Sequence, residues 1–482
     1  MEFILFLGIV LCISILSCKA TNKAGLPLLV GFMLIGIVIG QWVFHFESED
    51  FNLAVGLCNF ALLLIIFTGG FDTNFSEAKP ILGVSVFLSI LGTTLTAMLG
   101  GFFAFFVLKL EFYEAMLMGA VISSTDAASV FSILRSKKLN LKNNLGMVLQ
   151  IESASNDPTA HMLTVLFLAM AGAGGSQNIF LLFITQLFLG ILVGFVGAKV
   201  AQFTINRLHS EMEDLYLILL AAFAFLMYGT ALLINGNGFI AVYVGGIILS
   251  KGKLTHKRHL AQFFGSISML MQIMLFIILG MLFVPSNFLD IIVIGLAFAV
   301  FLLFIARPLV TFVIMKPFGR KLNEIALVSW AGFRGASSIV FAAYLLLADL
   351  PYSEYVFSIV FFVCLLSVTF QGSLIVPFAK KLNLIAQEPQ VLKSLTEYAA
   401  EIQEEILEIT ISPGSFACGK SILELELPED VHIIIIRRNG KTMVPIFSTV
   451  IQEKDTIMLA SGDKEKLLQL RKSLKVKQQI NE

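Results

Sequence analysis

Two short stretches carry most of the chemistry open to this chain. Ser123-Ser124-Thr125-Asp126 interrupts one apolar segment, and Glu152-Ser153-Ala154-Ser155-Asn156-Asp157-Pro158 interrupts the next. Both fall where a helix would lie in lipid, and a carboxylate there costs roughly 2.5–3.5 kcal/mol even on the most lenient scale. Three such carboxylates in neighbouring segments point to an ion or proton pathway. On a helix, residues four apart share a face, so Glu152 lies with Asn156 and Ser153 with Asp157. Asp157, Ser153 and Thr125 then make an all-oxygen set, the ligand type that hard cations take. Burial favours the protonated form of a carboxyl and an adjacent cation favours the ionised one, so proton and cation would compete for Asp157. A blander reading makes Asp157 a helix cap with Pro158 at the first helical position. That leaves Glu152 unexplained.

A third interruption lies far downstream. Ala331-Gly332-Phe333-Arg334-Gly335-Ala336-Ser337-Ser338-Ile339-Val340-Phe341 echoes the stretch from Gly119 to Phe131: small residues, one central charge, Val-Phe at the end. Paired interrupted helices are the best sequence pointer to a transporter's binding site. Where a helix unwinds in mid-membrane, its half-helix ends expose positive N-terminal and negative C-terminal charge. Asp126 can neutralise the former and Arg334 the latter, while Thr125 offers a hydroxyl and a freed carbonyl. Glu152 is expected to pair with Arg334, leaving Asp157 as the freely titrating group. Close helix packing would account for the Ser, Ala and Gly content, but not for Asp126 and Arg334.

The elements that must position these residues follow from composition. Of 482 residues, 57% are hydrophobic and only 14% charged, and mean hydropathy is +0.89. Soluble chains carry about 25% charged residues, so this is a polytopic membrane protein. Charge is concentrated late: 28 of the 66 charged residues lie in 381–482. A transmembrane domain over 1–380, a linker over 381–401, a soluble domain over 402–476 and a tail over 477–482 are therefore expected. Zero net charge argues against a nucleic-acid partner. The five cysteines are scattered, without disulfide or metal spacing.

Thirteen apolar runs are long enough to span, near 2–18, 26–44, 54–71, 81–108, 115–134, 146–171, 180–205, 215–234, 238–250, 260–284, 288–315, 325–348 and 355–379. Odd-numbered connectors carry the basic residues, including Arg135, Lys137, Lys138 and Lys142, or Lys251, Lys253, Lys257 and Arg258. Even-numbered ones carry acids such as Glu47, Glu49, Asp50 and Glu111. The positive-inside rule makes the odd connectors cytoplasmic, the N-terminus external and the C-terminal domain cytoplasmic. The interruptions fall in spans five and twelve, equivalent positions if spans one to six and eight to thirteen form an inverted repeat. The fold class is thus all-α in the membrane, with two interrupted crossing helices, plus a small cytoplasmic α+β domain.

Thr125-Asp126, Glu152-Ser153 with Asn156-Asp157, and Phe333-Arg334-Gly335 resemble the signature of monovalent cation:proton antiporters of the NhaP-like branch, over nearly the whole chain. The resemblance implies a thirteen-helix inverted-repeat fold, a homodimer in the lipid bilayer, and alternating access by a moving core. It also implies that Asp157 carries the transported K+ or Na+ in exchange for H+, and the Asn-Asp pair resembles that of electroneutral exchangers. Ala127 departs from the proline that many relatives have, and Ser155 from a bulky apolar residue.

After the last span the pattern turns to strands. Ile406–Ile411, Val431–Arg438, Lys441–Ile446 and Thr456–Leu459 read as strands, with a type I′ hairpin at Asn439-Gly440. Gly419–Leu423 reads as the start of a short helix, and Asp463–Leu474 as an amphipathic one. This domain resembles the TrkA-C (RCK_C) module of potassium transport proteins, which places the chain with the potassium/proton, cell-volume-regulation subgroup. The resemblance implies dimerisation and regulation by a small ligand such as cyclic di-AMP, or assembly without one. No G-x-G-x-x-G segment precedes it, so NAD binding is not implied.

Other candidates point elsewhere. His161 reads as a packing residue, His256 and His259 as a solvated loop with a pH-sensing alternative, and Arg307 as a snorkelling cation. Asp214 with Glu211 and Glu213 reads as a solvated turn. A potassium channel, the rival class, needs a carbonyl-lined filter loop, and the chain has none. No His-Glu-x-x-His or serine–histidine pair suggests an enzyme, and no resident cofactor is expected.

Overall fold

The computed structural model describes residues 27–386, apart from 43–47, 74–78, 138, 174–178, 209–211, 284–287, 349 and 351. It also describes 405–461, apart from 412–414, 416, 426, 428–430 and 439–440, together with Gly8 and Cys12. The expected first span apart from Gly8 and Cys12, residues 387–401 of the linker, the Asn439-Gly440 turn and the helix at 463–474 lie outside the described residues. The chain divides into two units, Met1–Thr396 and Glu397–Glu482.

The first unit is helical throughout. Its helices are α1 (Leu28–Trp42), α2 (Ser48–Phe71), α3 (Leu82–Val107), α4 (Phe112–Ile122), α5 (Ala127–Ser136), α6 (Leu145–Leu168) and α7 (Ile179–Arg207). There follow α8 (Asp214–Leu233), α9 (Gly238–Lys251), α10 (Lys257–Met281), α11 (288–315), α12 (Leu322–Trp330), α13 (Ala336–Leu347) and α14 (Ser353–Lys381). Among the described residues eight helical segments are long and apolar enough to cross a membrane, and three shorter apolar helices accompany them. In lipid a helix satisfies its own backbone groups, so every apolar run takes this form. The twelve expected spans from 26–44 onward each coincide with a helix or a broken helix.

Spans five and twelve are the broken ones. The helix stops at Ile122 and restarts at Ala127, and again stops at Trp330 and restarts at Ala336. Single π turns mark α3 (Leu88–Gly92) and α11 (Leu302–Ala306), and likewise the end of α6 (Ala169–Ala173) and α14 (Ser367–Gln371). The members of each pair are seven spans apart, the spacing of the inverted repeat. The turn in α11 directly precedes Arg307-Pro308, where proline withholds one helical hydrogen bond.

Two large apolar clusters, with a small third one at Ala97, Ala120 and Leu163, make up the helical core among the described residues. Val121, Ile122, Ala160, Ala336 and Ile339 belong to the first, and Ala127, Val130, Ile151, Ala331 and Phe333 to the second. Each broken helix thus places one half in either cluster, and α6 runs from one to the other. The polar stretches 123–126, 152–157 and 332–335 are what lies between. Apolar burial on both sides holds a thin polar layer in register without itself touching the ion chemistry.

In the second unit the strands β1 (Glu405–Thr410), β2 (Val431–Arg438), β3 (Lys441–Met443) and β4 (Thr456–Ser461) form an antiparallel sheet of order β1-β4-β2-β3. Arg438 pairs with Lys441 across a two-residue connection, as the Asn-Gly pattern requires. Ile409, Val431, Ile436, Ile451, Ile457 and Leu459 form its core. Two expectations need correction. β3 ends at Met443 rather than Ile446, and the short helix beginning at Gly419 is a 3-10 turn at Leu423–Leu425. The cause is shared: the Ile422 and Leu423 amides donate to Thr449 and Phe447 carbonyls. The two segments bond to each other instead of extending a helix or the sheet.

Candidate ion-binding site

The two breaks cross in contact. The Asp126 amide donates to the Phe333 carbonyl at 2.8 Å. A Cβ on Gly335 would lie 2.2 Å from the Asp126 Cβ, so only glycine permits this approach. The four-residue break leaves backbone groups without helical partners, and side chains take them up. Asp126 Oδ1 accepts from the Ala128 amide at 2.8 Å, and its Oδ2 from the Ser129 hydroxyl at 2.5 Å. Asp126 therefore caps α5, where negative charge suits the helix N-terminus. At the opposite end, Arg334 Nη1 donates to the Ser123 and Ser124 carbonyls at 2.7 and 3.0 Å. Its guanidinium meets the negative end of α4.

The α6 stretch ties these breaks together. Asn156 Nδ2 donates to the Thr125 hydroxyl at 2.5 Å. The Ser153 hydroxyl donates to the Thr125 carbonyl and accepts from the Ala127 amide, both at 2.9 Å. Thr125 and Ser153 are thus joined to each other and to the restart of α5, and among the described residues neither is hydrogen-bonded to Asp157. The hydroxyls beside Asp157 are others. Ser124 donates to Asp157 Oδ1, and the Ser124 and Ser337 oxygens are 2.8 Å apart. Pro158 lies inside α6, so Asp157 does not start a helix.

Asp157 and Asp126 line a cavity with Ala128, Ala336 and Ser337 on one side. Leu62 and Ile65 from α2, with Gln272, Leu275 and Phe276 from α10, form the other. This is a concave site with few polar groups in an apolar lining, the usual make-up of a small-ligand site.

The expected Glu152–Arg334 pair is not formed. Glu152 Oε1 lies 2.5 Å from Arg307 Nη2, with the side chains 1% and 4% exposed. Arg307 is therefore a buried counter-charge on α11 and not a snorkelling cation. The reason lies in the breaks: the Arg334 guanidinium is taken up by the carbonyls at the end of α4, which leaves Glu152 to Arg307. The placement also requires Gly332, since a Cβ there would meet Arg307 Nε at 2.5 Å.

The remaining candidates lie away from this layer. His161 Nδ1 is 3.1 Å from the Asn237 amide nitrogen and packs against Phe239, Phe341 and Tyr344. His256 is 3.2 Å from Glu213 and His259 is 3.6 Å from Asp214; both acids are exposed, so the solvated turn holds with histidines beside it. Glu211 is outside the described residues.

Comparison with known proteins agrees with this architecture. The transmembrane sodium/hydrogen exchanger family profile matches residues 8–381. The chain belongs to the sodium/hydrogen exchanger family. The TrkA-C domain profile matches residues 406–475. The K(+)/H(+) antiporter NhaP2 of Shewanella oneidensis is 30% identical over 472 residues, covering 96% of this chain and 82% of the relative. The K(+)/H(+) antiporter NhaP of Alkalimonas amylolytica is 29% identical, covering 95% and 80%. Among solved structures, the sodium proton antiporter MjNhaP1 from Methanocaldococcus jannaschii at pH 8 aligns with a TM-score of 0.70. It does so at 24% identity, over 79% of this chain and 99% of its own. That likeness establishes the fold. Family membership makes the chain a multi-pass membrane cation/proton antiporter, and it argues against the channel reading.

Sequence reasoning overlooked Ser124, Ser337, Gln272 and the role of Arg307. The echo between the two breaks contains Ser124 and Ser337 but does not rank their hydroxyls. A guanidinium and an amide inside apolar spans were the available signals for Arg307 and Gln272.

Proposed function

We propose that this protein exchanges K+ for H+ across the membrane, with Na+ as the alternative cation. Asp157 holds either the cation or the proton. One observation carries the reading: the other charges of the polar layer are already compensated. Glu152 has Arg307, Asp126 has the start of α5, and Arg334 has the end of α4. Asp157 has hydroxyl partners and a cavity. A single uncompensated carboxylate becomes neutral with one monovalent cation or one proton. Exchange at such a group is electroneutral and needs no further charge movement. The potassium assignment is favoured by the two relatives above and by the TrkA-C domain.

In this reading Ser124 and Ser337 are direct neighbours of the bound cation. Thr125, Ser153 and Asn156 keep the break in span five in shape. Alternating access moves the polar layer relative to the α2 and α10 side of the cavity. The protein works as a homodimer in the cell membrane, with its N-terminus outside and its TrkA-C domain cytoplasmic. Residues 1–380 form the exchanger, 381–401 the linker and 402–476 a regulatory module open to a small ligand such as cyclic di-AMP. In proteoliposomes carrying a pH-sensitive dye, Asp157→Asn is expected to abolish K+-dependent proton movement. Undiminished exchange by that variant would eliminate Asp157 as the carrier.

A further inference from the structure

Gln272 is the one polar side chain in the stretch Met269–Met281 of α10. It lies within Met269-Leu270-Met271-Gln272-Ile273-Met274-Leu275-Phe276, in the body of α10. Its amide has no hydrogen-bond partner among the described residues. A part-buried amide that no protein group satisfies is left to water or to a ligand in the cavity. Packing alone would select Leu or Met at this position. The polar surroundings available to Gln272 are those of the cavity it lines together with Asp157 and Ser337.

The chemistry of the cavity is unevenly divided. The broken helices and α6 supply the Asp157 carboxylate and the Ser337 hydroxyl, with the Ser124 hydroxyl bonded to both behind them. The α2 and α10 side is Leu62, Ile65, Leu275 and Phe276, with Gln272 as its one polar side chain. An alkali cation that sheds its hydration shell needs protein oxygens around it, and neutral carbonyls serve well. Without Gln272 the far side would offer none.

We infer that Gln272 is a cation ligand, its amide oxygen completing from α10 the shell of the monovalent ion held at Asp157. The inference rests on the reading of Asp157 as the carrier. It adds an asymmetry between the two competing ions. A proton on Asp157 needs no second wall, whereas the cation does. Gln272 therefore biases the competition towards the cation, and it does so from the side against which the polar layer moves. Closure of the cavity onto α10 is then favoured by the cation and not by the proton. Asp126 is the other titratable group lining the cavity, and it remains engaged at the start of α5.

The test is exchange in proteoliposomes by the full chain, comparing Gln272→Met, Gln272→Glu and Asp157→Asn. Methionine matches glutamine in length and suits an apolar helix, so monodispersity is expected to survive. Losing one oxygen on a charged ligand predicts a rise of about tenfold in the apparent KM for K+, with kcat nearly unchanged. At fixed K+, the pH at which protons displace half of the cation should rise by about one unit. Gln272→Glu retains an oxygen at the same reach and should keep KM at or below that of the parent. A packing role predicts the reverse order, with Met harmless and Glu damaging. Direct Rb+ binding in detergent gives the same ranking should a variant reconstitute poorly. Parental KM and Rb+ affinity in Gln272→Met would overturn the assignment, provided Asp157→Asn is inactive. Exchange by Asp157→Asn would overturn the underlying reading instead.

Discussion

The buried pair Glu152–Arg307 sets a demanding test of the polar layer. Glu152→Gln removes the counter-charge of a guanidinium that has almost no access to solvent. Taking the charge centres as about 4 Å apart in a medium of effective dielectric about 20, the lost attraction is about 4 kcal/mol. That agrees with the roughly 3–5 kcal/mol seen when one partner of a buried ion pair is removed. Arg307→Met should cost a similar amount, because it strands Glu152. The double variant Glu152→Gln/Arg307→Met strands neither, so most of the loss should be recovered. A double-mutant cycle in detergent, read by unfolding midpoints in an SDS titration, should give a coupling of at least about 2 kcal/mol. The same cycle with Arg334→Ala should give a much smaller coupling, since Arg334 bonds to the α4 carbonyls. Additive losses for Glu152 and Arg307, or a larger coupling to Arg334, would refute the assignment of the pair.

Three further predictions follow from the geometry. Gly335→Ala places a Cβ 2.2 Å from the Asp126 Cβ. It should force the crossing apart, cost about 1–3 kcal/mol or more, and abolish exchange in protein that still purifies; wild-type rates would show that the breaks need not touch. Ser124→Ala and Ser337→Ala should each raise the KM for K+ several-fold, about tenfold at most. Ser153→Ala should lower the unfolding midpoint more than it alters KM, and the opposite ranking would return Ser153 to the ligand set. In the second unit, burial pushes the Asp455 carboxyl up, but hydrogen bonds from Arg438 and the Gln452 amide hold it below its ordinary value. A depressed folded-state value means that this stabilisation is present above about pH 4 and fades as pH falls through the folded value. Amide protection over 431–461, corrected for the intrinsic pH dependence of exchange, should therefore fall in acid in the parent, while Asp455→Asn should be less protected at neutral pH and less sensitive to acid.

Hydropathy was enough to place the spans, because lipid leaves a backbone no choice but to bond to itself. The breaks in spans five and twelve were also legible: Asp126 and Arg334 are too costly in lipid to be incidental. So was the β2–β3 hairpin, whose register follows from Asn439-Gly440. The partners of the polar groups were not legible. Spacing along α6 sets Ser153 and Asp157 on one face, yet Ser153 reaches Thr125 and Ala127 while Asp157 reaches Ser124. Glu152 took its cation from α11 rather than from the break in span twelve. Such choices depend on where two broken helices cross to within a glycine's width, and on which carbonyls that crossing leaves bare. A linear pattern records the charges that need compensation, whereas only the packed helices decide which group supplies it.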